Sequence, residues 1–235
     1  MDKIDWNDFW VNYRNIETHT ESDLYFQVGK TVNKSPVSQE VFESALQDIV
    51  KSLAVKKEDV ILEMCCGNGL LTYPLSQIAS KIFAFDFTPH LIEAAKKFKK
   101  NGSIDYHVGD AKSSFFDLFE IEDYPEKYLM SDSLCYFTPE ELKEIIIYIL
   151  SKREKFVFYL TGVPNDALKW NFYNTPERKK VYLDGVAAGD LTNNGIARWW
   201  KKAELLKIAE ELDLKITLKN QSHTNFRMDV LFEKE

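Results

Sequence analysis

The chain has 235 residues, of which 45% are hydrophobic, 14% aromatic and 29% charged, so it can bury a sizeable core and is neither disordered nor collagen-like. Its 37 acidic residues outnumber the 30 basic ones. The resulting formal charge of −7 disfavours bulk binding to nucleic acid because it repels phosphate backbones.

Cysteine usage and apolar patterning bear on the compartment. Cys65, Cys66 and Cys135 show no paired spacing typical of a zinc or redox site. A small, odd number of cysteines is typical of a reducing compartment, and the first residues show no secretory signal pattern. The longest apolar run, residues 145–150, is far shorter than the ~20 residues of a membrane helix. We therefore expect a cytoplasmic protein with no membrane association.

Residues 1–37 are expected to form an N-terminal extension. A short amphipathic helix is predicted over residues 4–13, and the polar stretch that follows is broken by an apolar patch at residues 24–26. From Ser38, apolar residues recur at helical spacing as far as Leu53, which predicts a helix.

Short apolar runs then alternate with helical patterns. The runs that predict strands lie at residues 60–64, 82–86, 106–108, 128–130 and 156–160. The helices predicted between and after them lie at residues 70–78, 88–98, 138–151 and 202–212. Residues 161–198 are predicted to be an irregular insertion. This alternation indicates an α/β fold, a Rossmann-like doubly wound sheet with helices on both faces.

The last two predicted strands, residues 214–218 and 226–232, are joined by a short polar loop. They must pair antiparallel, because a parallel pair needs a crossover of a dozen or more residues. The chain after residue 37 is therefore expected to be one domain, mostly parallel with an antiparallel C-terminal hairpin.

The predicted strand ends carry the chemistry, because open α/β sheets bind ligands beyond the carboxyl ends of their strands. Gly67 and Gly69 follow the first strand and allow a tight turn that approaches a ligand closely. Asp86 ends the second strand, where an acid can bind ribose hydroxyls, and Asp110 follows the third, where an acid can contact an exocyclic amine. With Glu63 at the end of the first strand, these acids predict a nucleoside ligand.

Glu63 favours one nucleoside over others. Its carboxylate would repel the pyrophosphate of NAD or FAD, and Thr72 replaces the third glycine of a dinucleotide-binding turn. The same carboxylate would attract an ammonium group. S-adenosyl-L-methionine has an ammonium, a ribose and an adenine, and no pyrophosphate. A nucleotide-dependent oxidoreductase and a non-catalytic binding module on the same fold stay open as alternatives.

The stretch from Val60 to Asp110 resembles the cofactor-binding half of class I S-adenosylmethionine-dependent methyltransferases of the small bacterial, small-molecule type. Residues 60–69, VILEMCCGNG, are similar to their acidic, glycine-rich first motif, with Cys65 in place of the first glycine. The resemblance implies the sheet order 3-2-1-4-5-7-6 over residues 38–235. It also implies that residues 1–37 act as a lid, although a surface linker stays open.

The resemblance implies a cofactor site with Asp86 at the ribose, Asp110 and Ala111 at the adenine, and Ser131 at the amino-acid moiety. The full set of expected cofactor-binding residues is Tyr25, Glu63, Cys65, Gly67, Gly69, Asp86, Phe87, Asp110, Ala111 and Ser131. The thiol of Cys65 is expected to be a packing group rather than a redox or metal ligand.

The resemblance implies O- or N-methylation of a small molecule, such as a sugar, a surface-polysaccharide precursor or a secondary metabolite, with the acceptor pocket in residues 161–198. If the acceptor oxygen needs a general base, Asp132, Tyr136 and His223 are the candidates. Asp132, Asn165 and Asp166 carry oxygen atoms of the kind that bind hard metal ions. We nevertheless expect no metal site there. The motifs of DNA-amine and protein-arginine methyltransferases are missing. The oligomeric state is not predicted.

Overall fold

Seven strands form one mixed sheet in the computed structural model, which describes residues 6–12, 20–32, 34–189 and 196–235. The strands are β1 Val60–Met64, β2 Lys81–Asp86, β3 Ile104–Val108, β4 Lys127–Ser131, β5 Phe156–Pro164, β6 Lys215–Asn220 and β7 Arg227–Lys234. Their order is 3-2-1-4-5-7-6, with β1 to β5 parallel and β7 antiparallel to both β5 and β6. This confirms the predicted order and the antiparallel C-terminal hairpin.

Nine α-helices flank the sheet or cap its ends in the part of the chain that the structure describes. They are α1 Trp6–Asn12, α2 Glu21–Gln27, α3 Gln39–Ser52, α4 Thr72–Leu75, α5 Pro89–Phe98, α6 Pro139–Leu150, α7 Lys169–Phe172, α8 Pro176–Ala188 and α9 Lys202–Glu211. The side chain of Thr138 accepts a hydrogen bond from the Glu141 backbone N–H, and the Glu141 side chain accepts one from the Thr138 backbone N–H. A capping box is therefore present at the start of α6.

Two elements differ from the sequence prediction. The helix predicted over residues 70–78 is only α4, because Gly67 and Gly69 adopt left-handed backbone angles and keep the chain outside the helix until Leu71. Residues 161–198 are not simply irregular, since residues up to Pro164 extend β5 and two helices follow. Helix α8 has no buried residue, so it lacks the apolar periodicity that would have predicted it.

The core lies on both faces of the sheet because successive residues of a strand point to opposite faces. Ile61 of β1 packs on the face covered by α3 and α5, where it belongs to the same buried cluster as Ile49. Its neighbour Leu62 packs on the opposite face with Ile146 of α6 and Leu205 of α9. Both faces are therefore dry, and the polar ends of β1 to β5 remain as the place for a ligand.

Candidate functional site

A cavity of about 910 Å³ opens at the carboxyl ends of the parallel strands. Such a volume is typical of sites for small molecules and cofactors. Of the residues predicted to form the site, the structure brings the following together on its walls: Glu63, Cys65, Gly67, Asp86, Phe87, Asp110, Ala111, Ser131, Asp132, Tyr136 and His223.

Glu63 is the most unusual charge in the cavity wall. Its side chain is 1% exposed, and its Oε2 atom has no hydrogen-bond partner among the described residues. Burial raises the pKa of this carboxyl to about 7, even though the nearby Thr72 hydroxyl and the charge of Lys30 lower it. A buried carboxylate oxygen without a partner is costly, so the site is built to receive a donor or a positive charge at Glu63.

Asp86 organises the glycine turn from the neighbouring strand. It is 6% exposed, and its two carboxylate oxygens accept hydrogen bonds from the backbone N–H groups of Gly67 (3.0 Å) and Thr88 (2.9 Å). Burial raises the pKa of Asp86 above its ordinary value. Each oxygen keeps a further lone pair, so the same carboxylate can hold the turn and still accept from a ligand hydroxyl.

Cys65 takes the backbone conformation of the glycine it replaces, with φ at +54°. Left-handed angles are unfavourable for residues with a Cβ. Burial raises the pKa of the Cys65 thiol well above its ordinary value, so the thiol stays protonated. The side chain packs against the larger core cluster, as a small apolar group does.

Two predicted cofactor residues do not line the cavity. Gly69 has φ at +77°, and a Cβ there would lie 2.4 Å from the hydroxyl oxygen of Tyr106, so this glycine serves close packing behind the turn. Tyr25 packs against Phe42, with ring centroids 5.8 Å apart, and against the small cluster that contains Leu24. Burial raises the pKa of the Tyr25 hydroxyl.

The N-terminal segment covers the glycine turn. Leu24 is fully buried in a small cluster with Leu70 and Ala94. The side-chain amide of Asn68 donates to the Leu24 carbonyl (2.8 Å) and to Oε1 of Gln27 (2.9 Å). These contacts join two parts of the chain more than 40 residues apart, and no local sequence signal identified Asn68 or Gln27 as partners.

The adenine side of the predicted site is at the end of β3, and its amino-acid side is at the end of β4. Asp110 is half-buried, and its Oδ1 accepts a hydrogen bond from the Lys112 backbone N–H (2.9 Å). Ala111 beside it is 4% exposed, and Phe87 follows Asp86 in the wall. Ser131 ends β4 and faces the same cavity.

Asp132 is held between two cations. Lys30 and Arg227 both bind its carboxylate, and Arg227 Nη1 lies 2.6 Å from Oδ1. Burial would raise the pKa of Asp132, but the two ion pairs outweigh it and lower the pKa to about 2. The backbone at Asp132 is left-handed, with φ at +55°. A carboxyl that ionises this readily is a weak proton acceptor at neutral pH, which disfavours Asp132 as a general base.

Gly162 makes room for this ion pair. It lies where the register of β5 against β7 shifts, with φ at +74°, and a Cβ there would approach Asp132 Oδ1 to 2.0 Å. Arg227 Nη1 also donates to the Gly162 carbonyl (2.6 Å). Nothing in the local sequence pattern indicated Lys30 or Arg227, because they lie 102 and 95 residues from Asp132.

Aromatic rings line the part of the cavity beyond Asp132. The ring of Tyr136 lies 5.0 Å from Trp6 and 5.7 Å from Trp10, measured between centroids. Trp6 and Phe9 are 5.6 Å apart in an edge-on arrangement. We call Trp6, Phe9, Trp10 and Tyr136 the aromatic wall.

His223 enters the cavity from the loop between β6 and β7. Its Nδ1 atom is buried and has no hydrogen-bond partner among the described residues. The loop is anchored by Gln221, whose side-chain amide donates to Thr161 Oγ1 (3.0 Å) and to Asp229 Oδ1 (2.7 Å). Sequence reasoning found the histidine but missed this buried anchor.

The central part of the chain is similar to a known protein family. Residues 61–150 match the family model described as a methyltransferase domain. This stretch therefore resembles a methyltransferase domain. The match covers β1 to α6 and so contains the glycine turn, Asp86, Asp110 and Asp132. The N-terminal segment and residues beyond 150 lie outside it.

Curated relatives match part of the chain at low identity. A magnesium-protoporphyrin O-methyltransferase from Rhodobacter capsulatus is 28% identical over 117 residues, which is 48% of this chain and 49% of that protein. The chain spans less than half the length of the first curated relatives it matches.

Two solved structures share the fold over nearly the whole chain. Magnesium protoporphyrin IX methyltransferase from Synechocystis PCC 6803 with bound SAH has a TM-score of 0.58 and 14% identity, covering 97% of this chain and 93% of that one. The DhpI–SAH complex has a TM-score of 0.61 and 12% identity, covering 96% and 95%.

Two further observations on the described residues concern metals and membranes. In the described part of the chain, no three His, Cys, Asp or Glu side chains are grouped so that they could hold a metal ion. None of the described helices is both long enough and apolar enough to cross a bilayer.

Proposed function

We propose that the protein transfers a methyl group from S-adenosylmethionine to a small-molecule acceptor. The observation that carries the proposal is the buried, unpartnered Oε2 of Glu63 on the wall of a cavity that also holds Asp86. S-adenosylmethionine has an ammonium for the former and ribose hydroxyls for the latter, and it would supply a methyl carbon activated by an adjacent sulfonium. The residues present therefore fit this methyl donor.

The proposed roles at the cofactor end follow the strand ends. Glu63 binds the ammonium, Asp86 the ribose, and Asp110 with Ala111 the adenine. Gly67 brings the backbone close to the ligand, and its φ of +57° is costly for a residue with a Cβ. Cys65, Phe87 and Ser131 complete the walls by packing and polar contact. Gly69 supports the turn from behind, and Tyr25 supports the covering segment.

The covering segment, residues 20–32 and 34–37 of the N-terminal extension, is proposed to be a lid. It reaches the glycine turn through Asn68 and the end of β4 through Lys30. A lid over an activated methyl group excludes water, which prevents wasteful hydrolysis. The acceptor is proposed to bind between this lid, the loop that carries His223 and the residues beyond 161.

We propose that the residues at the acceptor end of the cavity position the acceptor molecule rather than remove a proton from it. Holding acceptor and methyl carbon in line supplies a large part of the rate enhancement without acid–base chemistry. Asp132 forms ion pairs with two cations, which makes it a weak proton acceptor. Of the three predicted catalytic residues, His223 is the best placed to accept a proton, because its Nδ1 atom has no hydrogen-bond partner among the described residues. Tyr136 contributes a ring to the wall.

A small molecule is favoured over nucleic acid because the cavity is lined mostly by buried and partly buried residues and the chain has a net charge of −7. A sugar, a polysaccharide precursor or a secondary metabolite remains within the proposal, as does a cytoplasmic location. A nucleotide-dependent oxidoreductase is disfavoured, because the carboxylate of Glu63 would oppose a pyrophosphate at the glycine turn.

The test of the proposed site is Asp86→Ala. Loss of hydrogen bonds to a charged group costs about 1.5–3 kcal/mol, so S-adenosylmethionine affinity should fall roughly ten- to hundredfold. Asp105→Ala, which removes a half-exposed carboxylate on β3, is the matched control and should leave affinity unchanged. Equal affinities for both variants, measured by calorimetry on proteins with wild-type circular dichroism, would show that the ribose site is elsewhere.

A further inference from the structure

The acceptor end of the cavity combines flat aromatic surface with an excess of positive charge. The aromatic wall presents Trp6 and Tyr136 to the cavity, and Phe226 lines it from the side of β7. Aromatic faces and edges favour a planar, apolar partner through stacked or edge-on contact. The shape and polarity of this wall thus select for a flat ring system.

The positive charge comes from Lys30 and Arg227. Both cations are directed at the single carboxylate of Asp132, so the three groups together carry one uncompensated positive charge. The side chains of Lys30 and Arg227 are 26% and 21% exposed, so water screens this charge only in part. The Arg227 guanidinium also lies 5.4 Å from the centroid of the Phe226 ring, which joins the charge to the aromatic surface.

Proton acceptors are scarce at the same end. Asp132 is already shared by two cations, which leaves His223 and Tyr136 as the candidate bases among the residues predicted for catalysis. An acceptor that arrives ionised needs no base at all. An anionic oxygen would also find in Lys30 and Arg227 the charge that stabilises it.

We propose that the methyl acceptor is an aromatic molecule that reacts through an anionic oxygen, a carboxylate or a phenolate, with its ring against the aromatic wall and its oxygen beside Lys30 and Arg227. This inference rests on the proposed methyl transfer and names its substrate class. An amine acceptor is disfavoured because its cationic form would meet two positive side chains.

The step balances without proton transfer. The anionic oxygen forms a bond to the methyl carbon while the bond from that carbon to sulfur breaks, and the electron pair of the broken bond stays on sulfur. One negative and one positive charge thereby become a neutral methyl ester or ether and a neutral thioether. Asp132 is then a positioning residue that holds Lys30 and Arg227 at the oxygen.

The test measures binding to the SAH-saturated protein by calorimetry, so that it does not depend on turnover. The probes are 2-naphthoate, its neutral amide 2-naphthamide, the cation 2-naphthylmethylammonium and the non-aromatic anion glucuronate. We expect naphthoate to bind at least roughly tenfold more tightly than each of the others. A preference for the ammonium or equal binding of glucuronate would overturn the inference.

A second probe, 4-nitrophenol, distinguishes a phenolate acceptor from a carboxylate acceptor, because its absorbance reports its ionisation. Bound to the SAH-saturated protein, it should ionise at lower pH than in buffer if phenols are accepted as phenolates. With naphthoate bound and nitrophenol unchanged, the acceptor is a carboxylic acid. Absence of both responses contradicts the proposal.

Variants of Lys30 and Arg227 test whether these two side chains cause the preference for the anionic probe. Lys30→Gln should abolish the preference for naphthoate over its amide, whereas Lys180→Gln, which breaks a lysine–aspartate pair on exposed α8, should preserve it. Arg227→Gln gives a second reading if Lys30→Gln lowers the melting temperature. An unchanged preference in both cavity variants would overturn the inference. SAH affinity is measured in every sample, since failure of the wild-type protein to bind SAH would instead refute the proposed function.

Discussion

At the scale of single residues, Glu63 carries the clearest pH dependence. Its pKa of about 7 lies above the ordinary value, so the ligand-free protein binds a proton on folding and loses stability as pH rises from about 4.5 through about 7. A bound ammonium favours the ionised form. SAH affinity should therefore rise between about pH 6 and about pH 7.5, with proton release at the lower pH.

Calorimetry in two buffers of different ionisation enthalpy measures this proton release. Glu63→Gln keeps the shape of the side chain but removes its charge, so affinity should fall at least roughly tenfold and lose its pH dependence. If the variant kept both the affinity and the pH profile of the wild type, Glu63 would not face the ammonium.

Cys65 gives a prediction about backbone strain. Because its φ is +54°, Cys65→Gly should relieve about 1 kcal/mol of left-handed strain, offset in part by lost packing. Cys65→Val puts a β-branched residue at the same angle and should destabilise the protein by more than about 1 kcal/mol. Urea denaturation compares the two variants. A less stable glycine variant than valine variant would mean that packing of the thiol outweighs the strain.

At the scale of elements, the irregularity of β5 is tied to Asp132. Gly162→Ala places a Cβ 2.0 Å from Asp132 Oδ1 at a φ of +74°, so we expect a loss of at least about 2 kcal/mol in unfolding free energy. Gly102→Ala is the control, because a Cβ there meets no atom within 4 Å. Equal midpoints of urea unfolding for both variants would contradict the ion-pair geometry.

The segment over the glycine turn is the second element that can be tested. If residues 20–32 are a lid, SAH should slow amide hydrogen exchange there, and in particular around Leu24 and Lys30. Helix α8, which lies away from the cavity walls and has no buried residue, should exchange at the same rate with and without SAH. Uniform exchange in residues 20–32 would favour a surface linker over a lid.

At the scale of the whole molecule, the alternation of strands and helices and the residues at the strand ends were predictable from local patterns, whereas the sheet order followed from the family resemblance. Glycines after a strand and acids at successive strand ends are read directly from the chain, and the structure brings Glu63, Asp86 and Asp110 to one cavity. The acceptor end was not predictable in this way. The pairing of Asp132 with Lys30 and Arg227 spans about a hundred residues, and no local periodicity reports such contacts.

The elements that sequence reasoning misjudged have physical causes as well. Helix α8 buries nothing, so only its caps, Thr175 and Gly189, could have indicated it. Gly69 matched a ligand-binding motif, yet in the structure its lack of a Cβ makes room for the Tyr106 side chain. A motif identifies a turn, but the packing around that turn decides which of its residues touches a ligand.

The most direct measurement of the central claim is a titration of the purified protein with S-adenosylmethionine and, separately, with NADH. The account predicts saturable binding of S-adenosylmethionine with one site per chain, weakened by Asp86→Ala, and no measurable binding of NADH. Tight binding of NADH without binding of S-adenosylmethionine would contradict it.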